Sequence, residues 1–197
     1  VVKSPSIRIH LINIAKVAIP LKNHILMRNV NDKIALLKSS GSCVFCNLTQ
    51  GNFKGNDLEG VDLRYAILIG ADLSNANLSR ASLSNVNLSE ANLSNTNLNG
   101  AILHYTNLSG ANLDGVDLSE NNLIGTILTH ANLSGANLDG ADFSEMDLTG
   151  TILTYANLSG ANFDGFDLSN MDLTGTILTH ANLSGTNLDG VDLSNKD

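Results

Sequence analysis

Two cysteines three positions apart, Cys43 and Cys46, are the only thiols in a chain of 197 residues. A zinc site needs four ligands, and neither a histidine nor a further cysteine stands at matching spacing. A redox Cys-x-x-Cys asks for a thioredoxin-like setting, which the flanking sequence does not provide. Two readings stay open. One is a structural Cys43–Cys46 disulfide, as in a periplasm or thylakoid lumen; the other is a pair of buried thiols in a cytoplasm.

The histidines offer no better catalyst. His10, His24 and His104 have no serine, aspartate or cysteine that the sequence places beside them. Tyr105, His130, Tyr155 and His180 recur at one regular spacing, and Asp114, Asp139, Asp164 and Asp189 recur at the same one. Glycine spacing has another explanation, given below, so no phosphate-binding loop is read from it. Calcium β-roll motifs are missing. The expectation is a protein that is not an enzyme, with no catalytic, cofactor-binding or metal-ligating residues.

What positions these residues is a period of five. Every fifth position from 48 to 193 holds leucine, except Phe53, Phe143 and Phe163. Two residues earlier stands a mostly small residue, such as Ala71, Ala111 or Ala131. Neither the 3.6 period of a helix nor the alternation of a flat strand fits. A chain that turns a corner after each short extended piece does. Fifteen of the 17 glycines lie two after the centre, and Asn75, Asn85, Asn95, Asn170 and Asn195 share that position. Both residue types accept positive φ, as a tight corner demands. Pro5 and Pro20 lie outside the repeat, where no ladder donor is lost.

The unit Ala-Asn-Leu-Ser-Gly at 131–135 and 181–185 resembles the motif of the pentapeptide-repeat proteins, and the resemblance spans 46–195. It implies an all-β solenoid: a right-handed quadrilateral β-helix with four pentapeptides per coil. That gives about 7.5 coils and a rod of roughly 36 Å, its lumen filled by leucine. The expected domains are a basic segment 1–30, a capping helix and connection 31–45, the β-helix 46–195 and a tail 196–197. Asn31 or Asp32 is read as the N-cap and Gly41 as the stop, with Ile34, Leu37 and Leu36 covering the first coil. No cap follows Leu193, so self-association through that uncapped coil is expected. Ile7–Ile19 reads as an amphipathic helix able to meet a membrane surface or a neighbouring rod. No apolar run reaches the length of a transmembrane helix.

Charge divides the chain. Residues 1–45 carry seven Lys/Arg and one acid, whereas 46–197 carry four and eighteen. An acidic body disfavours direct nucleic-acid binding and favours a cationic protein partner. The longer repeat is five pentapeptides on a four-sided coil, so each copy advances one coil and one face. Tyr105, His130, Tyr155 and His180 therefore spiral and do not converge. Asp114, Asp139, Asp164 and Asp189 spread negative charge on all sides. Tandem duplication with solvated corners is the favoured reading, and a helical line of surface contacts is the alternative. Ile102, Ile127, Ile152 and Ile177 likewise form no axial stripe. Thr126, Thr151 and Thr176 do not stack, against an ice-binding array. The expected role is a rigid acidic interaction or scaffold module, of bacterial type. Some members of the resembled family mimic DNA and bind DNA gyrase, which is the alternative role. Against it, the dimerisation module and projecting loops of such members are absent from this sequence.

Overall fold

The computed structural model of the chain describes residues 29–143, 146–169 and 171–194. The basic segment 1–28, including the expected helix 7–19, and the tail 196–197 lie outside the described residues.

Within them, parallel bridges join each outward residue to the one twenty positions on: Asn47 to Ile67, Asn52 to Asp72, Asp57 to Asn77, Asp62 to Ser82. Four pentapeptides therefore complete one turn, and coils stack on their own hydrogen bonds. The Leu48 N–H donates to the Ile67 carbonyl at 2.7 Å, and the Ile67 N–H donates to the Cys46 carbonyl at 2.8 Å. Corners close locally, as where the Gly51 N–H donates to the Leu48 carbonyl at 2.9 Å. The central Leu and Phe side chains are buried from Leu48 through Leu178, while Leu183, Leu188 and Leu193 are partly buried. Each leucine so buried contributes roughly 1.5–3 kcal/mol against the ordering cost of the coil.

Three phenylalanines replace leucine without breaking the stack. Phe143 and Phe163 belong to successive coils of one face, and their rings stack at 4.9 Å. Phe53 is admitted by Gly51, which occupies the inward small position: a Cβ there would lie 2.6 Å from the Phe53 ring. Threonine at the same inward position also has a physical reason. Thr106, Thr126 and Thr151 are buried, and each hydroxyl donates to a backbone carbonyl one coil below, on Leu83, Leu103 and Leu128. A buried hydroxyl without that acceptor would be costly.

Among the described residues one helix, α1, spans Val30–Ser40. Its N-cap is Asn29, not Asn31 or Asp32: the Asn29 side chain accepts the Asp32 N–H at 3.0 Å. Asp32 sits instead in the first turn, where its charge favours the positive end of the helix dipole. Gly41, at φ 69°, ends the helix. Ile34 and Leu37 are buried against the first coil, and Lys33 Nζ donates to the Asn47 carbonyl at 3.0 Å.

The ladder starts earlier than the leucine pattern suggests, with Ser42 bridged to Asp62. Residues 41–45 form a degenerate first repeat in which Cys43 takes the leucine position and Phe45 the corner. Cys46 takes the small position of the next repeat. Both sulfurs therefore point inward, and they are joined as a disulfide at 2.02 Å.

From residue 97 onward the ladder is interrupted. Among the described residues no bridge joins 97 to 117, 102 to 122, 122 to 142, 127 to 147, 147 to 167, 152 to 172, or 172 to 192. These gaps advance by five repeats, one coil and one face at a time. They surround Asn121, Met146 and Met171, which stand where a small residue normally points inward. Size alone does not open the ladder, because Phe166 occupies the same position and Asp167 still pairs with Asn187. The preceding corner differs. Gly165 turns with φ 69°, whereas Glu120, alone among the described corner residues, lacks a positive φ. Asn121 partly repairs its gap: its side-chain amide donates to the Leu98 carbonyl at 3.0 Å and to the Ala101 carbonyl at 2.9 Å.

Candidate functional site

With the lumen packed, everything available to a partner is on the outside. The outward residue of each repeat is usually Asn or Asp, because its Oδ1 accepts the N–H two residues on and fixes the corner, as Asn132 does for Ser134 at 3.1 Å. Asparagine adds a second bond, donating its amide to the residue one coil below. Asn92, Asn112 and Asn132 thus form a ladder resting on Asp72. A parallel ladder runs Asp117, Asn137, Asn157. Aspartate begins both, since the first rung needs only to accept.

Several carboxylates are held below their usual range. The Arg64 guanidinium holds Asp62 below the usual range through paired bonds at 2.9 and 2.8 Å. The hydroxyls of Ser74, Ser119 and Thr149 do the same for Asp72, Asp117 and Asp147. Such shifts suit structural acceptors, and none marks a proton-transfer group. Among the described residues no three His, Cys, Asp or Glu side chains group to hold a metal ion.

Tyr105, His130, Tyr155 and His180 occupy four different corners, at φ of 57–60°. They are not brought together. Their spacing of five repeats has a steric correlate: the rings of Tyr105, His130 and Tyr155 lie over Gly125, Gly150 and Gly175 of the next coil, where a Cβ would collide with them. Asp114, Asp139, Asp164 and Asp189 are exposed beside successive corners, one on each face. Other acids are dispersed in the same way. Glu90, Asp147 and Asp167 share a face with Asp189, and Asp72, Asp172 and Asp192 share one with Asp114.

The exposed apolar residues are not dispersed. Ile102, Ile127, Ile152 and Ile177 do step around the rod. Yet Ile102 and Ile127 coincide with residues outside the longer repeat on one edge and its two flanking faces. Phe45, Tyr65 and Tyr105 stand on that corner, 70%, 48% and 62% exposed, with Ile124 just before it and Ile67 on the adjoining face. Phe45 and Tyr65 stack at 4.9 Å. At the other end Tyr105, Ile124 and Ile127 line an open cleft of about 990 Å3 between successive coils, which Asp142, Met146 and Asp147 also border. Two apolar patches therefore share one edge, Phe45 with Tyr65 and Ile67, and Ile102 with Tyr105, Ile124 and Ile127, separated by the coil that presents Ser82, Ser84, Asn85 and Asn87. The signal of this edge in the sequence is Phe45, Tyr65 and Tyr105 at multiples of twenty, visible once the repeat frame is extended back to Cys43.

A family model described as pentapeptide repeats, in 8 copies, matches residues 42–80, 81–119, 122–154 and 156–195. Among solved structures, HetL, involved in heterocyst differentiation regulation in the cyanobacterium Nostoc sp. strain PCC 7120, is 28% identical, with 84% of this chain and 94% of that one covered and a TM-score of 0.37. A trypsin-treated form of QnrB1, a plasmid-mediated fluoroquinolone resistance protein, is 22% identical, with 78% and 90% covered and a TM-score of 0.50. The likeness to QnrB1 is one of fold. No curated protein matches.

Proposed function

The chain belongs to the pentapeptide-repeat family, and on that premise we propose that it is a non-catalytic, rigid, acidic interaction module for a cationic protein partner. One observation carries this reading. Residues 81–195 contain thirteen Asp/Glu and not a single Lys or Arg. These acids sit on coils wound around a filled core, so the field they produce is held in place. Such a surface attracts cations at long range and gains little from shape. Dispersal over four faces favours a general scaffold over a duplex mimic, which would concentrate charge along one track.

The test is titration of the full chain with a ten-residue oligolysine, followed by hydrogen exchange. Binding is expected to map to 114–192 and to weaken by about tenfold between low and physiological salt. Binding that maps to 42–80, or that ignores salt, contradicts the proposal. A DNA gyrase supercoiling assay separates the two roles: a scaffold leaves supercoiling unchanged, and inhibition favours the mimic.

A further inference from the structure

The apolar edge raises the question of what covers it, and the chain supplies an occupant. We infer that the N-terminal segment 1–28 of the same chain docks along the edge formed by Phe45, Tyr65, Ile67, Ile102, Tyr105 and Ile127.

Three observations support this. The first is where the segment joins. Lys33, in the first turn of α1, bonds the Asn47 carbonyl. Asn47 lies on the face adjoining the Phe45 corner, so the first turn of α1 lies within a lysine side chain of the start of the edge. The second is composition. Residues 1–28 hold fifteen apolar side chains and five Lys/Arg with no acid. The edge carries two apolar patches, and the cleft at its far end is bordered by Asp142 and Asp147. Apolar and charge character thus match at once, in a body that lacks Lys and Arg from 81 through 195. The third is reach. From the coil of Phe45 to that of Ile127 is four coil spacings, roughly 19 Å. The segment 1–28, if extended, can span several times that distance. Exposed apolar side chains grouped in this way mark an interaction surface. A second copy of the chain and an unrelated protein are the competing occupants.

Trypsin decides between them, because the segment carries cleavable Arg8, Lys16 and Lys22. The comparison is between the full chain and a variant with Tyr65→Asn, Ile67→Asn, Tyr105→Asn and Ile127→Asn. Asparagine already occupies the same columns at Asn85, Asn87 and Asn107, so the solenoid tolerates it there. Cleavage at Arg8, Lys16 and Lys22 is expected to be about tenfold faster in the variant, independent of protein concentration, with melting unchanged. Equal rates overturn the inference. Protection that disappears on dilution also overturns it and assigns the edge to a second copy. A photo-crosslinker at position 67 in an otherwise unaltered chain gives an independent reading from a mixture of isotopically light and heavy copies. Crosslinks into 1–28 of the same copy support the docking; crosslinks only between copies, or none into 1–28, refute it.

Discussion

The first coils and the later ones are built from the same pentapeptide and differ in nearly everything the pentapeptide leaves free. From Ser42 to Asn92 each outward residue pairs with the one twenty positions on. Charges there are partly balanced: Lys54, Arg64 and Arg80 accompany Asp57, Glu59, Asp62, Asp72 and Glu90, and two ion pairs form, Arg64–Asp62 and Arg80–Glu59. From 97 onward the ladder opens once in every five repeats, and no Lys or Arg offsets the acids through 195. The difference teaches that a filled lumen does not guarantee a closed ladder. Leu123 and Leu148 are buried although the ladder beside them is open. Core burial and backbone pairing are separate conditions, set by the centre of the repeat and by its corner and small position respectively.

The contrast breaks most directly at the small position. Met146→Ala combined with Met171→Ala restores the residue that the closed coils use, and should stabilise the later half by about 0.5–2 kcal/mol per site. Denaturant unfolding measures it, and destabilisation would mean the methionines fill space that alanine leaves empty. A smaller effect sharpens the view of the outer ladders. Asn112→Asp removes the amide donated to Asn92 and sets a carboxylate against its Oδ1, at a cost of about 1 kcal/mol. Asp72→Asn, at a first rung, should cost less than half as much, and equal losses would show that rung order is irrelevant. The smallest expected effects are electrostatic and opposite in the two halves. Salt should raise the melting temperature by about 2–4 °C by screening the acidic coils. In acid the first coils should weaken. Asp62 is held below the ordinary range by Arg64, so its contribution is complete above that range and is lost as pH falls through it to the lower folded value. Asp62→Asn should flatten that acid limb, and an unchanged limb would remove Asp62 from the account.

Much of this was legible without coordinates, because a five-residue period with leucine at nearly every centre admits few backbones. Corners at glycine and asparagine followed from φ, and the stepping of Tyr105, His130, Tyr155 and His180 followed from five units on four sides. What escaped has physical causes. Asn29, Asn31 and Asp32 all offer capping side chains within four positions, so residue type alone does not pick the cap. Cys43 hides a repeat because a cysteine replaces the leucine that defines the frame. The apolar edge combines residues of two different periods, four repeats and five. The gap beside Asn121 accompanies a Glu120 corner without the positive φ that Tyr65, Arg80 and Glu90 adopt, which residue type alone does not foretell.

Hydrogen exchange across the whole chain tests the division most directly. Backbone amides at 121–125, 146–150 and 171–175 should exchange about a hundredfold faster than those at 66–95, in three segments each separated by five repeats. Uniform protection from 60 to 180 would contradict an interrupted ladder and leave the two halves structurally alike.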